Sequence, residues 1–389
     1  MLSRRGFFGV SGASLAAEAA GVRAADLPDL SIKEVKVYVV RLGRGVARVA
    51  SIVTAGGIEG NYTLAPRYWH PNWSNAGWLE YARAALKGRS ALDLPALTSQ
   101  WEPAKRRLGQ SSYASAIDNC LWDILGKAVG LPVYRILGAY RTRVLAYASS
   151  RHHGKVEDFV EEVRRCKAEG FKAYKIHPPS LPGGGADYKV DMEVARAVRR
   201  AAGDDYTLLM DPVGVYTREE AIKVGRLLQD LNFVAYEDPI PTTDIDGLAE
   251  LCRALDIPIH IGEFVASPYS FGEYIRRGAV DVVRFIVDNV GGITGGMKIA
   301  RLAECFGMEC APHNWGDAFD HAVHFHCELA MPNNVWFEMT VPQGSSDRPY
   351  IKDRIRIAAD GYVYAPEKPG LGYEIDRAAL EGMMESVER

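Results

Sequence analysis

Three short apolar runs, YTLLMDP (206–212), FVAYEDP (233–239) and IPIHIGEF (257–264), each carry an acidic residue at or near the end. These acids, Asp211, Glu237 and Glu263, recur at an even spacing of 26 residues. One short strand and the helix that follows it fill an interval of this length. The spacing therefore predicts three consecutive strand–helix units of a parallel sheet.

The same alternation of strands and helices extends in both directions from this region. The pattern predicts eight strands at 145–149, 173–177, 206–211, 233–237, 257–263, 280–285, 308–313 and 335–338. Amphipathic helices are expected between them at 156–169, 192–202, 218–231, 248–255, 292–306 and 317–330. Eight such units favour a (β/α)₈ barrel. A dinucleotide-binding sheet is disfavoured, because no G-x-G-x-x-G stands at a strand-to-helix turn.

The rest of the chain predicts a second, smaller unit and a leader. Residues 28–143 contain Val-rich alternating strands followed by helices, which is typical of an α+β capping domain. The barrel is expected over 144–350. The polar tail 351–389 is expected to return to the capping domain.

The first 25 residues resemble an export signal. The run Ser3-Arg4-Arg5-Gly6-Phe7-Phe8 is similar to a twin-arginine signal, and a Gly/Ala/Ser-rich stretch follows it. We therefore expect export to the periplasm, or a cytoplasmic location if the signal does not function.

Composition excludes two classes of partner. The chain has 389 residues, of which 48% are hydrophobic, and a formal net charge of −3. This charge provides no basic field for nucleic acid. No apolar run reaches the ~20 residues that a bilayer-spanning helix needs. The six cysteines show no metal-binding spacing and are interpreted as buried packing residues.

The three acids predict a metal site. Active sites of such barrels lie at the carboxyl ends of the strands, and adjacent strands lie ~4.8 Å apart. Three converging carboxylates repel one another unless a cation lies between them. Oxygen ligands favour Mg²⁺, with Mn²⁺ as the alternative. Any one acid would also suit a helix N-terminus, but three in register on consecutive strands favour the metal.

Other strand ends supply candidate acid–base groups. Lys175 and His177 share one face of the second strand, and a lysine inside a barrel requires anions nearby. His313 ends the seventh strand and Glu338 ends the eighth. His313 would then lie across the barrel from Lys175, with acid–base groups on two faces of a substrate.

These motifs resemble the enolase superfamily and, within it, the mandelate racemase-like subgroup. The resemblance rests on the three acids, on Val290-Gly291-Gly292-Ile293-Thr294 and on Pro312-His313. It implies removal of the proton α to a carboxylate, with Mg²⁺ and Lys175 stabilising the enediolate. It further implies His177 and His313 as acid–base residues and Glu338 as a hydrogen-bonding partner of the enediolate.

The sequence departs from the family pattern at three positions. The second strand ends Lys-x-His where the family often has Lys-x-Lys, and Val213 stands where Asn is frequent. Ile286 occupies the position of the Asp that usually orients the strand-seven histidine, so His313 is expected to be less fixed in tautomer. Arg284 and Asp288 share the strand parity of Ile286 and are candidates to replace it.

The interpretation is a lyase that dehydrates a sugar acid or related hydroxy acid to a 2-keto-3-deoxy acid. A racemase or epimerase is the first alternative and a muconate-type cycloisomerase is the next. An exported carboxylate-binding protein that has lost catalysis is the alternative from another class. The partner is a small carboxylate, and the resemblance implies a homo-oligomer. Candidate substrate-binding residues are Tyr68, Trp69 and His70 of a capping loop, with Arg284, Asn314 and Trp315.

Overall fold

A computed structural model describes residues 26–43, 45–64, 74–98, 111–180 and 187–389. Within these residues, the chain forms a small antiparallel sheet with helices and a larger parallel sheet that curls into a barrel. The expected fold class is confirmed. In the part of the chain that the structure describes, no helix is both long and apolar enough to cross a bilayer.

The capping unit is built on a four-stranded antiparallel sheet, with the last strand of the chain at one edge, beside the first. Its strands are β1 (Ile32–Arg41), β2 (Val46–Thr54), β3 (Glu59–Thr63) and the last strand of the chain, β12 (Met384–Glu388). Its helices are α1 (Asn75–Leu86), α2 (Ser111–Val129) and the short α3 (Val133–Ile136). The alternation of Val with polar residues buries one face of β1 against α1 and the other helices.

The barrel strands follow one another in parallel register. They are β4 (Arg143–Ser149), β5 (Ala173–Ile176), β6 (Thr207–Met210), β7 (Ala235–Glu237), β8 (Ile259–Ile261), β9 (Val282–Val283) and β10 (Trp336–Thr340). β10 pairs with β4, which places the eighth strand beside the first. These strands are short and buried on both faces, as expected of a parallel sheet covered by helices.

The seventh strand differs from the sequence expectation. Residues 308–313 form a single bridge, Val283 with Cys310, in place of a continuous strand. Even so, the amide of His313 donates to Phe285 (2.9 Å) and that of Cys310 donates to Asn333 (2.8 Å). The segment therefore lies between the sixth and eighth strands and delivers His313 to the barrel mouth.

Polar side chains cap the first turn of most of the barrel helices. These helices are α4 (Val156–Ala168), α5 (Tyr188–Ala202), α6 (Arg218–Asp230), α7 (Ile245–Ala254), α8 (Pro268–Arg277), α9 (Val287–Val290), α10 (Gly292–Cys305) and α11 (Ala318–Ala330). The sequence expectation omitted α8. Its signals were present: Ser267 caps the first turn, Pro268 opens the helix, and Gly278 ends it with φ 61°.

The capping unit holds the start of α10 through side chains of α2. Asn119 Oδ1 accepts from the amide of Ile293 (3.0 Å), and Asp118 Oδ2 accepts from that of Thr294 (2.9 Å). Gly292 makes this approach possible. It has φ 78°, and a Cβ there would lie 2.3 Å from Asp118 Oδ2. The Gly-Gly motif is thus the junction between the two units.

The tail divides between the two units. β11 (Tyr362–Tyr364) pairs antiparallel with the barrel strand β4, and β12 then pairs with β1 of the capping sheet, after the helix α12 (Arg377–Met383). One apolar cluster runs through the capping sheet, α2 and the barrel wall. The core therefore fixes the capping unit over the barrel mouth.

Candidate active site

Lys175 lies at the centre of the site. Its side chain is fully buried, and Nζ lies 2.7 Å from Glu338 Oε1, 2.8 Å from Glu237 Oε2 and 3.2 Å from Asp211 Oδ2. Burial and the nearby Arg284 would lower the pKa of Lys175, but Glu237 and Glu338 more than offset them and raise it well above its usual value. A buried, permanently charged lysine therefore joins carboxylates from three other strands.

Glu338 is an ionised acceptor. Oε1 accepts from Ser149 Oγ (2.8 Å), and Oε2 accepts from the amide of Asn314 (2.8 Å) and from Arg284 (2.5 Å). Burial would raise its pKa, but Lys175 and Arg284 hold the pKa of Glu338 well below its usual value. In this arrangement both carboxylate oxygens of Glu338 accept hydrogen bonds from neighbouring groups. Glu338 also pairs with both buried cations of the site, Lys175 and Arg284.

Arg284 is the second buried cation of the site. Its Nε pairs with Glu237, its Nη2 donates to Glu338, and Nη2 also lies 3.4 Å from Nδ1 of His313. The sequence left Arg284 and Asp288 as candidates to replace the missing orienting acid. Arg284 reaches His313, whereas the carboxylate of Asp288 accepts from Tyr62 of the capping sheet (2.5 Å).

Two of the predicted metal ligands converge with a histidine. Ligand atoms of Glu237, Glu263 and His313 all lie within 4.8 Å of one another, and His313 Nδ1 lies 2.6 Å from Glu263 Oε2. Asp211 is not in this group. Its carboxylate instead contacts Lys175 (3.2 Å) and His177 Nε2 (3.0 Å). The three acids predicted from spacing therefore lie at one barrel mouth, and Asp211 and Glu237 share the ammonium of Lys175.

The charges of the site favour a divalent cation. Five buried carboxylates face two permanent cations: Asp211, Glu237, Asp238, Glu263 and Glu338 against Lys175 and Arg284. Burial raises the pKa of Glu237 and Asp238 well above the usual range and that of Glu263 to about 7. Both oxygens of Asp238 are buried without a hydrogen-bond partner among the described residues. This carboxylate excess fits Mg²⁺ or Mn²⁺, which bind oxygen ligands.

His177 has a defined tautomer. Its Nδ1 lies 2.7 Å from the carbonyl oxygen of Ser150, which can only accept, so Nδ1 carries the proton of the neutral ring. Nε2 lies 3.0 Å from Asp211 Oδ2, to which it can donate when the ring carries a second proton. The rings of His152 and Trp315 pack against the imidazole of His177, with centroid separations of 5.2 Å and 5.4 Å. His177 is therefore held at both ring nitrogens, as the positioning of an acid–base residue requires.

The remaining predicted site residues fall into two groups. Tyr68, Trp69 and His70 lie outside the described residues, as does the export signal. Asn314 is buried and held by Glu338 through its amide and through Nδ2 (3.0 Å to the Glu338 carbonyl). Trp315 donates from Nε1 to Ser149 Oγ (3.0 Å).

Three residues at the site were missed from sequence. Tyr147 and Ser149 lie on the first strand: Tyr147 OH accepts from Arg284 (3.4 Å), and Ser149 bonds to Glu338. Their alternate spacing on a strand that ends at the barrel mouth was the available signal. Asp238 directly follows a predicted ligand, and no sequence signal distinguishes its role from that of Glu237.

The fold and the site together define a class of barrel enzymes. In this class the carboxyl ends of the strands carry a cluster of carboxylates around a buried lysine. A family model described as "Enolase C-terminal domain-like" matches residues 158–379. The chain belongs to this family, and thereby to the enolase superfamily.

Relatives and solved structures agree with this assignment. The chain is 32% identical to arabinonate dehydratase of Saccharolobus solfataricus, over 72% of this chain and 74% of the relative. It is 31% identical to L-talarate/galactarate dehydratase of Salmonella typhimurium, over 76% and 72%. The structure is similar to D-glucarate dehydratase from Agrobacterium tumefaciens complexed with magnesium, with TM-score 0.82 and 28% identity over 92% of this chain and 100% of that one.

Proposed function

We propose that this protein dehydrates a sugar acid to a 2-keto-3-deoxy acid. The observation that carries the proposal is the buried ammonium of Lys175 among carboxylates of three strands, with His177 on its own strand and His313 across the barrel. This arrangement suits a reaction that begins by removing the proton next to a carboxylate. The names of the relatives above, which are sugar-acid dehydratases, support the same chemistry.

Glu237, Glu263 and Asp211 are the residues that would hold Mg²⁺. Their carboxylate oxygens match the preference of a hard cation, and burial disfavours their charged forms without one. When bound, Mg²⁺ would draw negative charge from the substrate carboxylate and so make the adjacent proton easier to remove. Lys175, displaced from part of its carboxylate contacts, would donate hydrogen bonds to the same substrate group.

His177 would take the α-proton. Its Nδ1–H donates to Ser150, and Nε2 would accept the α-proton once the carboxylate of Asp211 is drawn to the metal. The imidazolium that forms would lie beside the carboxylate of Asp211, 3.0 Å away. The C–H bond breaks, its proton goes to Nε2, and the electron pair moves towards the substrate carboxylate.

His313 would assist loss of the β-hydroxyl. A proton from its ring joins the departing oxygen, so that the C–O bond breaks and water leaves. The resulting enol converts to the 2-keto acid. Nη2 of Arg284 lies 3.4 Å from Nδ1 of His313, and this cation favours release of a proton from the histidine ring. This supports dehydration over racemisation.

A library of sugar acids incubated with the protein and Mg²⁺ in D₂O tests the proposal. Keto-acid formation that requires Lys175 is the expected result. Deuterium exchange with inversion and no loss of water would instead establish a racemase. No turnover of any acid by the wild type, together with ligand binding that falls in Lys175→Ala, would establish a binding protein.

We further propose export and self-association. The run Ser3-Arg4-Arg5-Gly6-Phe7-Phe8 is the support for twin-arginine export to the periplasm. Fractionation of cells that express the wild type and an Arg4→Lys, Arg5→Lys variant tests it, and retention of both in the cytoplasm would overturn it. Membership of this family supports a homo-oligomer, which sedimentation of the purified protein would measure.

A further inference from the structure

A cavity of about 330 Å³ lies where the capping sheet meets the loops that follow the barrel strands. Three arginines from separate parts of the chain line it: Arg48 on β2, Arg151 after β4 and Arg348 after β10. No part of the chemistry proposed above uses these residues. Their convergence on one space requires an explanation.

The cavity shares a wall with the active site. Trp315 lines it, and the same indole donates to Ser149 and packs 5.4 Å from the ring of His177. Arg151 follows Ser149 by two residues, so the loop that carries it begins at the active site. The cavity therefore adjoins the active site on the side of His177.

Three arginines outnumber the two acids that line the cavity, which leaves it a net positive charge. Two acids also line it, but both are engaged as the capping box of α11: Asp317 accepts from the amide of Phe319 (3.0 Å), and Asp320 accepts from that of Asp317 (2.8 Å). Arg151 is exposed and forms no salt bridge with any residue that the structure describes. Arg348 Nε lies 3.5 Å from Asp317 Oδ2.

Guanidinium groups discriminate between the possible ends of a sugar acid. They remain charged at all working pH values and bind carboxylate or phosphate through paired N–H donors. A terminal hydroxyl gains only a neutral hydrogen bond in the same place, and such a bond is about half as strong as a charge-assisted one. The cavity therefore favours a substrate that is anionic at both ends.

We propose that the substrate is a sugar acid with a second anionic group at the end remote from the reacting carboxylate, and that Arg151 and Arg348 bind that group. This inference rests on the proposed dehydration for the position of the first carboxylate. Aldarates, with a carboxylate at each end, and phosphorylated aldonates share the required chemistry.

Steady-state kinetics with paired substrates tests it. Glucarate and galactarate supply a second carboxylate, 6-phosphogluconate supplies a phosphate, and gluconate and galactonate supply a hydroxyl. Arg151→Ala is expected to raise KM for the dianionic substrates about tenfold, the value of one charged hydrogen bond, with kcat changed less than about threefold. KM for the aldonates should change less than about twofold, and Arg151→Lys should recover part of the loss. Arg164→Ala, an exposed arginine on α4, is the matched control.

The outcomes separate this inference from the proposed reaction. The inference is wrong if aldonates are turned over at least as fast as dianionic acids and Arg151→Ala affects all substrates equally. The proposed dehydration would still hold in that case. Binding of unreactive probes gives a readout that needs no turnover. With Mg²⁺ present, calorimetry should show adipate binding about tenfold more tightly than hexanoate, with the difference lost in an Arg151→Ala, Arg348→Ala variant. Equal binding of the two probes to the wild type would also overturn it.

Discussion

The ammonium of Lys175 lies 2.7 Å from Oε1 of Glu338, although the two residues belong to the second and eighth strands of the barrel. Both strands flank β4, so the contact passes across the carboxyl end of the first strand. Ser149 on that strand donates to the same Glu338 oxygen (2.8 Å). The position of Lys175 is therefore set by the closure of the barrel as well as by its own strand.

Removing this ammonium should abolish activity and weaken the fold. Lys175→Met leaves buried carboxylates without their shared cation, which typically costs about 3–5 kcal/mol of unfolding free energy. Turnover should fall at least about a thousandfold, because the substrate carboxylate loses a charged donor. Urea unfolding and product formation measure the two effects. Lys189→Met, an exposed lysine on α5, should change neither, and wild-type turnover in Lys175→Met would exclude the assigned role.

Replacing Glu263 should stabilise the metal-free protein and weaken its stabilisation by Mg²⁺. Its pKa is raised to about 7 by burial and by Asp211, so at pH 8 the metal-free wild type holds a charge that Mg²⁺ relieves. Glu263→Gln is expected to raise the Tm of the metal-free protein at pH 8 and to lose most of the gain in Tm on adding Mg²⁺. Thermal unfolding with EDTA and with Mg²⁺ tests both parts. Glu157→Gln on the exposed start of α4 is the control, and an unchanged Mg²⁺ response in Glu263→Gln would rule out this ligand.

The fold could be predicted from sequence because its signals are local and repeated. Each barrel strand is an apolar run followed by an amphipathic helix, and the even spacing of Asp211, Glu237 and Glu263 sets the register of three such units. Strand parity also placed Lys175 inside the barrel beside those acids. These inferences need only the period of the strand and the parallel arrangement.

Side-chain partnerships could not be predicted in the same way. Ile286 stands where an orienting acid is usual, and the sequence did not determine that Arg284 would extend from two residues earlier to reach His313. Asp211 contacts Lys175 and His177 because the two buried cations are shared among five carboxylates, so that each contact depends on the others. Such an arrangement depends on rotamers and on residues from several strands, including Tyr147 and Ser149 of the first.

The two histidines should have separable roles. His177→Asn should abolish both α-deuterium exchange and dehydration, because the proposed base is lost. His313→Asn should lose at least about a hundredfold in dehydration while exchange at the α-carbon continues, because only the departure of water needs its proton. Mass spectrometry of substrate and product in D₂O separates these steps. Exchange that persists in His177→Asn and stops in His313→Asn would reverse the assignment.

The junction between the capping unit and α10 should not tolerate a side chain at Gly292. Alanine there would combine strain at φ 78° with a Cβ 2.3 Å from Asp118 Oδ2, so Gly292→Ala should cost about 3 kcal/mol or more. Gly307→Ala is the matched control. It has φ 69° and no atom within 4 Å of the added carbon, so the strain alone should cost about 1 kcal/mol. Equal losses in urea unfolding would show that the contact with Asp118 is not what requires glycine.

Acid should destabilise the protein through the buried His326 on α11. Its Nδ1 accepts from the amide of Tyr134 (3.1 Å), and burial lowers its pKa to about 4, against about 6.5 in an unfolded chain. Between these values the unfolded state binds the proton first, so stability is complete above about pH 6.5 and falls as the pH drops towards 4.

This group alone should remove about 2 kcal/mol of unfolding free energy at pH 5 relative to pH 7.5. His326→Gln keeps an acceptor for the amide of Tyr134 but does not titrate. The loss between pH 7.5 and pH 5, measured by urea unfolding, should therefore be smaller in the variant by about that amount. Other buried groups contribute equally to both proteins and cancel. If the variant and the wild type lose the same stability over this range, His326 is not a source of the acid sensitivity.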